Sequence, residues 1–220
     1  MTMDMKVARM LIPMTLEGLK IVLGVFLITL VVSIPLSIIV AKLRMSRNKI
    51  IPRITGIYIY IMRGTPLLLQ LMFIFFGFHF VPYVGYAFSR YQAIFIAFIL
   101  NYTAYFAEIF RGGINSIDSG QVEASTVLGL SKFYTFIRVI LPQVVKNIMP
   151  SIGNEVITLV KDTSLVYILG VSDILKAARA TSNTNSTFVP YIFVGIVYLL
   201  ITAILTKILD RVEDKFNYYR

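Results

Sequence analysis

Five apolar runs, at about residues 17–41, 64–81, 88–110, 144–168 and 189–209, limit what this chain can fold into. A hydrocarbon core of ~30 Å takes ~20 helical residues to cross. Inside it a helix satisfies its own backbone hydrogen bonds. Each run is about that long, so the chain reads as an all-α integral membrane protein with five transmembrane helices. Composition agrees: 57% of the 220 residues are hydrophobic and the mean hydropathy is +0.79, against ~45–50% apolar in soluble domains. The start of run two is indistinct, because Ile54 to Met62 is also apolar. Run four contains Pro150 and several polar residues.

A net charge of +10 would suit a nucleic-acid partner, but the cations gather in the gaps between runs. Lys42, Arg44, Arg47, Lys49, Arg53 and Arg63 follow run one; Arg111, Lys132, Arg138 and Lys146 follow run three; Lys207, Arg211, Lys215 and Arg220 end the chain. These fourteen face five on the other side: Lys6, Arg9, Arg90, Lys176 and Arg179. Cytoplasmic loops carry the excess of Lys and Arg. The N-terminus is therefore expected outside and the C-terminus in the cytoplasm, which five spans allow. The N-terminal stretch MTMDMKVARM lacks the h-region and cleavage site of a signal peptide and is expected to be retained. One domain is expected over 1–220, with a cytoplasmic loop at about 112–143.

That loop holds the longest interruption, Asp118 to Pro142. Asp118 is a good N-cap, with Gln121 three residues on as in a capping box. Gly129 can end the first helix in the left-handed conformation. Ser131 can cap a second amphipathic helix, expected to stop near Leu141 because Pro142 follows. On the other side, Ser172 is expected to cap a short surface helix, DILKAARA, before a polar loop, TSNTNST. This could be a partner contact or a connector. The lone histidine, His79, lies in FGFHFVPY and reads as an aromatic-belt residue rather than a functional one.

Run four carries the sharpest chemical signal. Asn147, Ser151, Glu155, Thr158 and Asp162 recur at helical spacing and form one polar stripe. A carboxylate in the bilayer costs at least ~2.5 kcal/mol, so it must face protein or a water-filled path. Glu155 lies ~20 Å beyond Pro142 at 1.5 Å per residue, well inside the membrane. No cation stands at three or four residues from it. Asn101 reaches a similar depth in run three, with Tyr105 and Glu108 on its face. Asn101 could equally be an interhelical hydrogen-bonding group, and Asp162 with Lys161 an interfacial pair. Arg63-Gly-Thr-Pro-Leu67 breaks the chain again: Gly64 ends a helix, Thr65 can N-cap the next, and Pro66 suits its first position. There is no cysteine, no Ser/His/Asp set, no metal-spaced cluster and no phosphate-binding glycine loop. No enzyme is expected. Any energy for transport must come from a partner or an ion gradient.

Glu123-Ala124-Ser125, three residues, Gly129, nine residues, then Val139-Ile140-Leu141-Pro142 resembles the EAA motif of bacterial ATP-binding-cassette importer permeases. Ser125 replaces the second Ala and Val139 replaces Ile. Arg63-Gly-Thr-Pro-Leu-Leu-Leu-Gln70, Ala104-Tyr-Phe-Ala-Glu108-Ile-Phe-Arg-Gly-Gly113-Ile, Gly120-Gln-Val-Glu-Ala124 and Lys161-Asp-Thr-Ser-Leu165 are similar to the polar amino acid branch. The resemblance covers about residues 15–212. It implies a multi-pass permease of the bacterial inner membrane that acts as a homodimer or heterodimer. Its implied partners are two cytoplasmic ATPase subunits, which hold the ATP and Mg, and an extracytoplasmic solute-binding protein; no cofactor is expected in this chain. In that family the short helix from Glu123 to Leu128 docks on the ATPase, with Ala124, Ser125, Gly129, Leu141 and Pro142 completing the coupling motif.

Within the branch, Glu155 and Asp162 favour a cationic amino acid: arginine, lysine or histidine. Glu155 is expected to take the cationic side chain, and Asn101, Ser151 and Thr158 to add hydrogen bonds. Lys161, or backbone amides near Thr65, are the groups expected for the α-carboxylate. Two other readings compete. One is an ion-coupled secondary transporter with Glu155 and Asp162 as proton carriers, against which no inverted repeat is visible. The other is a non-transporting membrane anchor.

Overall fold

The computed structural model describes residues 5–83 and 85–216, and every regular element among them is helical. The first four residues of the N-terminal stretch, and Arg220 among the terminal cations, lie outside the described residues. α1 (Met5–Arg44) runs 40 residues, ~60 Å at 1.5 Å per residue. It starts before run one because Val7 and Leu11 continue the same buried face. That face proceeds through Thr15, Gly18, Val22, Val25, Thr29, Ser33 and Ser37 at steps of three and four. Its small side chains let other helices come close. A Cβ on Gly18 would stand 2.5 Å from backbone atoms of Asp173 and Ile174.

The second run is a broken helix. α2 (Ile51–Gly64) and α3 (Leu67–Met72) meet at Thr65–Pro66 with a bend of 105°. A π turn (Phe73–Gly77) and a 3-10 turn (Phe78–Phe80) continue α3. Pro66 has no N–H and restricts the residue before it to extended backbone, and Thr65 sits at φ −121°, ψ 145°. The cap expected of Thr65 falls instead to Pro66, which is extended and whose carbonyl accepts from Leu69 and Gln70 N–H. The Thr65 hydroxyl donates backward to the Ile61 carbonyl, 2.8 Å.

α4 (Arg90–Asn115) is the central post. Phe98, Tyr102 and Phe106 are fully buried on it, and α1, α2, α3 and α7 pack around it. Its start carries a capping box, Ser89 with Gln92. α5 (Ser119–Val127) is capped by Asp118, which accepts from Gly120 N–H at 2.7 Å. No reciprocal bond from Gln121 accompanies it, so this is a simple cap and not the box expected there. Gly129 (φ +71°) closes α5: Gly129 N–H donates to Thr126 O and Leu130 N–H to Ser125 O, a Schellman motif.

Ser131 caps α6 (Lys132–Thr135) by accepting from Tyr134 N–H. The helix does not stop at Leu141. A π turn (Phe136–Ile140) carries it directly into α7 (Leu141–Asp162), and Pro142 falls in α7's first turn. α7 passes into a 3-10 turn (Thr163–Leu169) ended by Gly170 at φ +74°.

α8 (Ile174–Asn185) is capped by Asp173, not Ser172: its carboxylate accepts from Leu175 and Lys176 N–H. The helix also takes in TSNTN, expected as loop, because Thr184 Oγ1 and Asn185 Nδ2 donate to carbonyls one turn back. α9 (Val189–Phe216) exposes Ile192, Ile196, Leu199 and Ile204 along most of its length.

By length and apolarity, α1, α4 and α9 can each cross a membrane, and the bent α2–α3 pair makes a fourth. The run expected over 144–168 corresponds to α7 and its 3-10 extension. Its 22-residue helix is ~33 Å long, but its polar stripe leaves it outside the set that apolarity identifies.

Candidate functional site

α7 carries its stripe as the spacing requires, and the members meet different neighbours. At the end nearest α5, Asn147 Nδ2 donates to Ser116 Oγ, 3.0 Å. Ser151 is exposed and shares a small cleft with Asn147 and Ser116. Glu155 is half-buried and has no hydrogen-bond partner among the described residues. Thr158 Oγ1 donates to Asn154 O, 2.9 Å. Lys161 is exposed. Asp162 accepts a hydrogen bond from the Tyr102 hydroxyl, 2.8 Å, so the α7 stripe is tied to the centre of α4.

Asn101 is 4% exposed and holds the α2–α3 break. Its amide donates to the Met62 carbonyl (2.9 Å) and to Gln70 Oε1 (3.0 Å). Gln70 Nε2 in turn donates to the Met62 carbonyl (2.9 Å) and the Thr65 hydroxyl (2.8 Å). Carbonyls freed at a helix break need such partners. Asn101 and Thr65 therefore belong to one network, while Glu155, Thr158 and Asp162 lie along α7 apart from it. This is the interhelical role open to Asn101 from the sequence.

A charged cluster stands beside the break. Glu108 is chelated by Arg111 through Nε (2.9 Å) and Nη2 (2.7 Å). Arg63 approaches Glu108 only to 3.9 Å and lies 5.2 Å over the Tyr105 ring. Neither Tyr102 nor Arg63 is marked by any spacing within its own run, since each acts on residues of other helices. Among the described residues no three His, Cys, Asp or Glu side chains are grouped to hold a metal ion.

At and before the N-terminal end of α7 lie the residues expected to form the coupling motif. Glu123 and Ala124 are exposed on α5, while Ser125 is 4% exposed and donates to Gln121 O. Leu141 and Pro142 sit half-buried where the helix enters α7. Val127 (88% exposed), Leu128 (74%) and Phe133 (77%) form an apolar face that no part of this chain covers among the described residues. An apolar patch of this kind on a rigid, capped element suits a protein partner.

Residues 33–218 match the family model of the binding-protein-dependent transport system inner membrane component. The chain is 36% identical to the arginine transport system permease protein ArtQ of Bacillus subtilis (strain 168), covering 99% of each chain. It is 35% identical to the putative glutamine transport system permease protein GlnP of Rickettsia conorii (strain ATCC VR-613 / Malish 7), over 90% of this chain and 91% of that one. Among solved structures, an amino acid ABC transporter crystallised with histidines superposes with a TM-score of 0.87 at 31% identity, covering 98% of this chain and all of that one. A methionine ABC transporter, MetNI, superposes with a TM-score of 0.71 at 16% identity, a likeness of fold alone.

Proposed function

This chain belongs to the family of inner membrane components of binding-protein-dependent transport systems, and we propose that it carries a cationic amino acid inward by alternating access. It is an amino acid ABC transport permease; the finer reading concerns what it binds and how it moves. In that reading five helices cross the membrane, the fifth being α7, with the N-terminus outside and the C-terminus in the cytoplasm of a bacterial cell. A second permease copy or sister subunit faces the α7 stripe. Two cytoplasmic ATPase subunits, holding ATP and Mg, grip α5 at Glu123, Ala124 and Ser125. An extracytoplasmic solute-binding protein delivers the amino acid.

The observation that supports the proposal is that one unbroken helical stretch, α6 through the π turn into α7, joins the Gly129 turn after α5 to the polar stripe. The capped α5, its Gly129 turn and α6 run through the Phe136–Ile140 π turn, past Leu141 and Pro142, into the helix that holds Glu155. Closure of the ATPase pair would move α5, and the capped Gly129 turn would pass that displacement to the helix that carries the stripe. Glu155 supplies the counter-charge for a cationic side chain, since an uncompensated carboxylate in the bilayer interior is otherwise costly. Asp162, Thr158, Ser151 and Lys161 accompany it on α7, while Asn101 and Thr65 hold the α2–α3 break.

The test is uptake of arginine and glutamine by the permease reconstituted with its ATPase and binding-protein partners. Glu155→Gln should cut arginine uptake by at least about tenfold, the ~1.4 kcal/mol that a weak charge pair supplies. Arginine uptake by Glu155→Gln at the parental rate would reject the cationic site.

A further inference from the structure

The elbow between α1 and α2 concentrates positive charge that the transport reading leaves unused. From residue 21 to residue 41, α1 carries no charged side chain. That stretch is ~32 Å long at 1.5 Å per residue, which matches a hydrocarbon core of ~30 Å. Lys42 is the first charge beyond it, so it stands at the level of the lipid headgroups. Arg44, Arg47, Lys49 and Arg53 follow, and residues 18–107 contain no Asp or Glu. Lys42, Arg47, Lys49 and Arg53 are exposed and make no ion pair among the described residues.

The elbow has a fixed shape. Arg44 Nη1 donates to the Pro52 carbonyl, 2.7 Å, and ties the end of α1 to the start of α2. Asn48 Oδ1 accepts from Ile50 and Ile51 N–H at 2.7 and 3.2 Å. A cavity of about 600 Å³ lies against this turn, lined by Ile39, Lys42, Leu43, Met45 and Ser46. Its lining divides into a polar part, Lys42 and Ser46, and an apolar part. Ile39 and Leu43 are exposed and continue a run of exposed apolar side chains from Val32 and Leu36 along α1. Ile39 lies ~4.5 Å along the helix on the hydrocarbon side of Lys42. A cation at headgroup level over an apolar strip fits a molecule with an anionic head and a hydrocarbon tail. A soluble anion has no use for the strip, and the surface of a water-soluble partner does not reach into hydrocarbon.

We infer that the α1–α2 elbow binds an anionic phospholipid, with its phosphate at Lys42 and Ser46 and an acyl chain along Leu36, Ile39 and Leu43. Arg47 directly follows Ser46, and it and Lys49 add positive charge to the same turn. Hydrogen bonds from an ammonium to a phosphate are charge-assisted and strong. Basic residues just beyond a membrane helix draw in acidic lipids. The inference is independent of which amino acid the permease carries.

The test titrates the purified permease–ATPase complex in detergent with phosphatidylglycerol or with phosphatidylcholine of the same chains, and native mass spectrometry counts the bound lipids. The parent complex should bind phosphatidylglycerol at least tenfold more tightly than phosphatidylcholine. The triple variant Lys42→Gln, Arg47→Gln, Lys49→Gln should weaken phosphatidylglycerol at least tenfold and leave phosphatidylcholine unchanged, which also shows the complex still folded. Lys207→Gln, Arg211→Gln and Lys215→Gln remove the same charge from the end of α9 and should leave phosphatidylglycerol at its parental affinity. Equal affinity of the parent for the two lipids overturns the inference, as does parental phosphatidylglycerol affinity in the elbow variant. Equal loss in both triple variants reduces the elbow to diffuse charge attraction and overturns it. Displacement of the lipid by glycerol phosphate, the head without the chains, makes this a soluble-anion site and overturns it. An elbow variant that sheds its ATPase subunits makes the elbow a protein contact and overturns it as well.

Discussion

Asn101 and Gln70 illustrate how a polar residue in an apolar run has two explanations that only its surroundings separate. Both amides are consumed by the α2–α3 break. Removing one partner leaves the Met62 carbonyl region short of donors, at ~1–3 kcal/mol for a buried group left unsatisfied. Gln70→Ala should therefore lower the thermal midpoint of the purified complex, and Asn101→Ala more so, because its amide is the more buried. Asp173 behaves differently. Burial pushes its carboxyl up to about 6 despite the two N–H groups it caps. A carboxyl whose folded value lies above its unfolded one gives stability that is full below the unfolded value and is lost as pH rises through the folded value. The complex should thus gain thermal stability between pH 7 and pH 5, and Asp173→Asn, which keeps the cap acceptor, should flatten that gain. A flat profile in the parent would contradict it. The helical spacing of the α7 stripe was legible from sequence because Glu155 and Asp162 stand out among Ile, Val and Leu. The bond from Tyr102 to Asp162 was not, because its partners lie 60 residues apart on different helices.

At the scale of elements, local chemistry was readable wherever a single residue decides it. The Asp118 and Ser131 caps and the left-handed Gly129 were expected and are present. What escaped is how elements join. Pro142 was expected to end a helix, and it begins one, because the π turn before it carries the chain across. Asp173 took the cap expected of Ser172 because the N-terminus of α8 abuts Gly18, and a buried helix start rewards a side chain able to reach two N–H groups. Gly129→Val forces a branched side chain into positive φ, at ~1–2 kcal/mol, in the turn between α5 and α6. ATP hydrolysis by the assembled complex should lose its dependence on solute. Retained solute stimulation would show that the α5–α6 geometry is dispensable.

For the whole molecule, the all-helical class and most of the apolar runs followed from run length alone, since α1, α4 and α9 overlap runs one, three and five. The second and fourth runs were the poorly defined ones, for one physical reason: the break at Thr65–Pro66 and the polar stripe of α7 lower hydropathy. The orientation proposed from charge bias is open to direct measurement, because the chain contains no cysteine. A cysteine at Thr126 should react with a membrane-impermeant thiol reagent only from the cytoplasmic side, and one at Thr184 only from outside; the reverse pattern would invert the topology. The most direct test of the central claim is arginine uptake into proteoliposomes holding this chain with its ATPase subunits and binding protein. Uptake should require ATP inside the compartment that α5 faces and should vanish when the ATPase is inactivated. Uptake that persists without a working ATPase, driven by a pH gradient, would contradict it.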